Sequence, residues 1–330
     1  MSKITSVLLT AALIAQVALP AAAQTNSTPT PAPSKTPTAA PLAATPTFAS
    51  SEAAQFTPLT QADLSVLTAN VQRPNGITWF ENKLYTACTG DDTVYVINDT
   101  TGDTRAYIGG VHNLQTLYVE TDAQNNPVVW APDYTDNTLI EVTHTRVQTI
   151  ARNLKGPWGI SYVDDQHFLV SNLLSNSINL LSRSGDDQVV LDGLASPMGI
   201  THDDQTLYVA NYGSTHRSIE WYSYTALVNG QPSNTTMNHV LVSGLQNVTD
   251  VQLGSDGKLY FAYALGNRGL VGRVDPQVCE AIGGCTNDQV EIVLYSDLDV
   301  PLAGLTLTPD MRMFVHSMFK PEIYWAQISG

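Results

Sequence analysis

Gly156-Pro157-Trp158-Gly159-Ile160 is one of a set of related stretches, the others being Arg73-Pro74-Asn75-Gly76-Ile77, Ser196-Pro197-Met198-Gly199-Ile200 and the looser Pro301-Leu302-Ala303-Gly304-Leu305. About ten residues after each comes an apolar strand pattern such as Lys83-Leu84-Tyr85, His167-Phe168-Leu169-Val170 or Thr206-Leu207-Tyr208-Val209. Short strands recurring with a period of about forty residues predict a β-propeller, in which each repeat is one blade.

The inner strands of the blades are expected to start at Asn75, Asn113, Trp158, Met198, Thr249 and Ala303, which makes six blades of four strands each. Two of them are lengthened by insertions, at Ala226 to Asn238 and between Cys279 and Cys285. An outer strand precedes each inner one, as Gln188 to Leu191 precedes Gly193 and His239 to Val242 precedes Gly244. The last repeat supplies only three strands (Leu305 to Leu307, Met313 to His316, Ile323 to Gln327), so Asp63 to Leu67 is expected to complete it. Such a one-plus-three closure ties the chain ends together and leaves no open sheet edge.

Outside the repeats, residues 1–23 combine Lys3, an apolar run from Val7 to Leu19 and the small residues Ala21-Ala22-Ala23. This predicts a signal peptide cleaved near Ala23 and a secreted, extracellular or periplasmic protein. Residues 24–56 are rich in Thr, Pro, Ala and Ser, a composition that cannot bury enough surface to offset ordering entropy and reads as a disordered linker. Residues 57–330 are expected to form the propeller. No stretch is apolar for long enough to predict a membrane span. A net charge of −15 argues against nucleic acid and anionic membranes as partners. Cys279 and Cys285 are expected to form a local disulfide after export, and Cys88, alone in a strand pattern, to be a buried thiol.

The Pro-x-Gly-Ile and Leu-Tyr-Val-Ala patterns, spanning roughly Thr57 to Gly330, resemble those of the NHL and gluconolactonase-like (TolB-like) six-bladed propellers. That resemblance implies a ligand site where the loops entering the inner strands meet the loops joining the second and third strands. The first set carries Asn75, His112, Asn113, Trp158, Met198 and Asp250; the second carries Tyr134, Tyr212, His216, Arg217 and Arg268. Arg73, Lys155 and Lys320 add positive charge to this face, whereas the opposite turns are rich in Asp, such as Asp186-Asp187 and Asp203-Asp204.

Three functions follow as expectations. The first is a binding propeller for a small polar molecule, a glycan or a protein, monomeric and without a complete catalytic set; Trp158 and the tyrosines would stack on a ligand and the amides and Arg217 would hydrogen-bond it. The second, implied by the gluconolactonase resemblance and shared with strictosidine-synthase-like relatives, is a hydrolase using Ca2+ or another divalent cation. Asn75, Asn113 and Asp250 are its only matching ligands, and the Glu of that family is absent. The third is a quinone-dependent sugar dehydrogenase with His112 as base. Streptogramin lyases share the Gly-Pro-x-Gly-Ile repeat but resemble seven-bladed rings.

Overall fold

The computed structural model describes residues 56–229, 231, 233–234, 239–299, 302–317 and 319–328. Residues 1–55, which hold the expected signal peptide and nearly all of the expected linker, and Pro301 of the fourth repeat lie outside the described residues.

Six sheets follow one another along the chain, each built on four antiparallel strands, and three of them gain a fifth, two-residue parallel strand (Leu59–Thr60, Ser233–Asn234 and Cys285–Thr286). Blade one is Pro74–Phe80, Lys83–Cys88, Thr93–Asn98 and Thr104–Gly109; blade two is Tyr118–Thr121, Pro127–Asp133, Thr138–Thr143 and Arg146–Ala151. Blade three is Pro157–Asp164, His167–Asn172, Ser177–Ser182 and Asp187–Asp192; blade four is Pro197–His202, Thr206–Asn211, Ser218–Ser223 and Val240–Ser243. Blade five is Gln246–Leu253, Leu259–Leu265, Arg268–Val274 and Glu291–Asp299. Blade six has Leu302–Leu307, Arg312–Ser317 and Ile323–Gln327, and its outer strand is the N-terminal Ser65–Thr68, paired antiparallel with Ile323–Gln327. Gln61–Asp63 is a single 3-10 turn, so the closing strand starts two residues later than the sequence pattern suggests. Leu59–Thr60 adds a parallel pair to the outer strand of blade five, so the N-terminal segment clips two blades.

The hydrophobic core is divided among the blade interfaces. Tyr85 and Val94 of blade one pack with Val129 and Ile140 of blade two. At the closing seam, Ile77 and Leu84 meet Phe314 and Ile323. Period-two alternation lets each strand feed both neighbouring interfaces, which is why the strands read as nearly continuous apolar runs.

The repeat glycines are dictated by crowding at the inner strands. A Cβ on Gly76 would stand 1.5 Å from the Gln115 carbonyl oxygen of blade two, and one on Gly159 would stand 2.4 Å from the Met198 carbonyl of blade four. Two blades depart from this rule. In blade two Thr116 occupies the position; its hydroxyl donates to Trp158 O at 3.0 Å and accepts from Ile160 N at 2.9 Å. In blade five Asp250 occupies it; Oδ2 accepts from Leu305 N of blade six at 3.1 Å and Oδ1 from Val251 N at 2.8 Å. Where glycine is missing, a short polar side chain reaches across and ties the next blade on.

Blade two aligns differently from the sequence expectation. Leu114 bridges Asp133 as Pro74 bridges Cys88, and Tyr134 N donates to Asn113 O as Thr89 N donates to Arg73 O. Asn113 is therefore the counterpart of Arg73, and Gln115, 3 % exposed, is that of Asn75. Blade two has no Gly at this point of its repeat, and its inner-strand entry lies two residues later than the sequence pattern predicts. Two short helices also interrupt the all-β pattern: Tyr224–Val228 in the first insertion and Pro276–Ala281 in the second. The latter is capped by Asp275, which accepts from Gln277 N and Val278 N, with Pro276 in its first turn. Cys279 leaves this helix to bond Cys285 at 2.04 Å, and Cys88 is free and buried. No helix among the described residues is long and apolar enough to cross a membrane.

Candidate functional site

The loops entering the inner strands and those joining second to third strands meet on one face, and each set carries a left-handed residue that recurs by blade. In the first set these are Arg73, Gly156 and Ser196, each before a proline; in the second they are Asp92, Asn137, Asn176 and Arg217. Gly and Asn adopt this conformation readily. Arg does not, and both Arg73 (φ 54°) and Arg217 (φ 48°) line cavities on this face.

The first cavity, of about 340 Å³, lies between blades one and two and is lined by Arg73, Asn75, Thr89, Asp92, His112, Asn113 and Thr135. Asn75 is 3 % exposed and its Nδ2 donates to Leu114 O and Gln115 Oε1, each at 2.8 Å, and to Asn113 Oδ1 at 3.3 Å. Its amide thus joins the two blades and fixes Asn113. Gln115 Nε2 completes the lattice by donating to Asn113 Oδ1 at 2.8 Å. His112 is exposed and its Nδ1 lies 3.1 Å from Asp136 Oδ2. That hydrogen bond and charge hold the imidazole's pKa above its ordinary value. Asp133, 3 % exposed, accepts from Asp136 N at 3.0 Å; burial raises its pKa.

Flanking the same loop, Tyr134 meets the half-buried Trp158 edge to face, with ring centroids 5.8 Å apart. The face therefore offers an aromatic ledge beside a polar cavity, the two sharing the 133–136 loop.

A second cavity, of about 190 Å³, is lined by Tyr212, Ser214, Arg217, Gln246 and Asn247 of blades four and five. Behind it His216 Nδ1 lies 2.6 Å from Oε1 of the buried Glu220, which also accepts from Ser218 Oγ and, through Oε2, from Tyr222 Oη at 2.6 Å. Sequence reasoning missed Glu220. Its alternation with Ser218 and Tyr222 on one strand face was the available signal.

Other expected residues do not join these cavities. Met198 is buried, and its carbonyl accepts from Ser171 Oγ at 2.6 Å. Arg268 pairs with Asp297 at 2.9 Å and covers the Tyr295 ring. Asp250 is buried with both oxygens engaged by backbone N–H groups, and no hydrogen bond among the described residues joins it to Asn75 or Asn113. The three residues expected to share a cation are thus engaged in tying blades together.

The architecture is shared with solved structures of low sequence identity. A gluconolactonase from Xanthomonas campestris superposes with a TM-score of 0.61 at 13% identity, covering 81% of this chain and 89% of that one. At this identity the likeness is one of fold. A streptogramin B lyase matches with a TM-score of 0.55 at 14% identity (81% and 97% covered), and a chain of a nidogen/laminin complex with 0.54 at 15% (71% and 85%). No protein-family model matches the sequence, and no curated protein matches it. A fold shared by a lactonase, a lyase and a protein complex leaves function to the site.

Proposed function

We propose that this chain is a secreted binding propeller that takes a small polar ligand of the saccharide class in the cavity between blades one and two. The observation that carries this reading is the lining itself: Arg73, held in a left-handed conformation, projects beside amides, a hydroxyl and a carboxylate around about 340 Å³. Strain retained at one side chain is a pointer to function. The volume stands at the lower end of the roughly 300 to 1,000 Å³ typical of ligand sites, which suits a single sugar ring. Trp158 and Tyr134 supply a face for the ring's C–H bonds, and Asn113, Thr89 and Arg73 reach its hydroxyls or a carboxylate. The disulfide accords with export.

A thermal-shift screen of monosaccharides, sugar acids and their lactones tests the reading. Hits are expected that Trp158→Ala and Arg73→Ala each weaken at least tenfold. Hits unaffected by both substitutions would move the site elsewhere, and turnover of any lactone would replace binding with hydrolysis.

A further inference from the structure

Beside this cavity three donors of mixed type converge: one ring nitrogen of His112 and one carboxylate oxygen each from Asp133 and Asp136 all lie within 4.8 Å of one another. They come from separate places in blade two. His112 precedes the inner strand, Asp133 ends the second strand, and Asp136 lies in the turn before the third.

Two other blades show one structural use of Asp133's position; blades one, five and six have Cys88, Ala264 and Ser317 there. Its amide counterparts are Asn172 in blade three and Asn211 in blade four, which pair with Pro157 and Pro197 as Asp133 bridges Leu114. There the side-chain oxygen caps the loop entering the inner strand: Asn172 Oδ1 accepts from Lys155 N at 2.9 Å and Asn211 Oδ1 from Ala195 N at 3.0 Å. Asp133 does not do this. Its Oδ1 accepts from Asp136 N, so the carboxylate faces the 135–136 turn and His112. A carboxylate 3 % exposed is thus directed away from the bond that Asn172 and Asn211 make and toward another acid. Among the described residues no Lys or Arg forms an ion pair with Asp133 or Asp136. Among these residues His112 is thus the one cationic partner of two neighbouring carboxylates, one of them buried, which leaves net negative charge at the cluster.

We propose that His112, Asp133 and Asp136 bind a divalent transition cation of the zinc type. One imidazole nitrogen with two carboxylate oxygens suits zinc or manganese, whereas calcium and magnesium favour all-oxygen shells. Metal–ligand distances of about 2.0 to 2.2 Å require the donors to close to roughly 3.3 Å from one another. The exposed His112 and Asp136 can move by that much while Asp133 stays anchored by Asp136 N. Three protein ligands leave a coordination position open, and the cavity bearing Asn113 and Thr135 is beside it. The proposal stands whether or not the cavity takes a saccharide, because metal uptake is read without one.

The test is calorimetric titration of the chelator-treated full chain with ZnCl2, alongside its thermal unfolding. One equivalent is expected to bind and raise the melting temperature, CaCl2 giving no shift. His112→Ala and Asp136→Asn, both at exposed positions, should each weaken uptake at least tenfold. His167→Ala, which removes the His167–Asp164 pair in a hairpin turn, should leave it unchanged. Absence of saturable zinc uptake would overturn the proposal, as would one-equivalent uptake that survives both blade-two substitutions or is lost in His167→Ala.

Discussion

Two fully buried titratable groups should give this propeller opposing pH dependences that conceal each other. Burial pushes the Asp250 carboxyl from its ordinary 3.8 up to about 7. Burial likewise pushes His316 from 6.5 down to about 4, and neither of its ring nitrogens has a hydrogen-bond partner. Between pH 4 and 6.5 the folded chain holds a proton on Asp250 that the unfolded chain has released, so stability falls with rising pH by about 1.36 kcal/mol per unit. Over the same window the unfolded chain holds a proton on His316 that the folded chain lacks, so stability rises at the same rate. The two slopes cancel in the wild type. Asp250→Asn should unmask the rising slope and His316→Gln the falling one, each amounting to about 3.4 kcal/mol across the window at about 1.36 kcal/mol per unit. Asp250→Asn also weakens one of two backbone hydrogen bonds at a cost of about 1 to 3 kcal/mol, which is independent of pH and leaves the slope readable. The assay is urea denaturation at half-unit pH steps, comparing each variant with wild type so that surface carboxylates subtract out. The double variant should run parallel to wild type. Single variants that also run parallel would refute the argument.

Three further outcomes follow from the packing. Gly76→Ala should cost at least about 3 kcal/mol by denaturant unfolding, since its Cβ would strike the backbone of blade two; Gly109→Ala, whose Cβ would meet only Thr93 Oγ1 at 3.8 Å, should fall within about 0.5 kcal/mol of wild type. Replacing Cys279 and Cys285 with Ser releases a loop closed at a sequence separation of 6 and should cost about 2 kcal/mol, read from the shift in denaturation midpoint. Deleting residues 58–68 removes the strand that closes blade six and the pair that clips blade five. It should abolish cooperative unfolding, and a deletion variant with an unchanged calorimetric transition would contradict the closure.

The ring was readable in the sequence because its crowding is written into particular residues. Gly76, Gly159, Gly199 and Gly304 have no room for a Cβ, and the strands after them are apolar because both their faces are buried. The same logic explains the failure in blade two. Thr116 replaces glycine there with a hydroxyl that bonds across the seam, which erased the marker and slid the alignment onto Asn113. The candidate site was harder to read. Loops could be assigned to a face, but whether Asn75, Met198 or Asp250 turned outward or into the next blade depends on inter-blade contacts that no local pattern encodes. Asp133 and Glu220 owe their importance to partners brought beside them by the turns at 135–136 and 212–217.

On the proposed reading, ligand recognition belongs to the cavity between blades one and two. Hydrogen–deuterium exchange with the strongest saccharide hit tests it most directly. Protection is predicted at residues 73–76, 89–92, 112–116 and 133–136, with 212–217 and 246–247 unchanged. Protection confined to the blade-four and blade-five loops would contradict it.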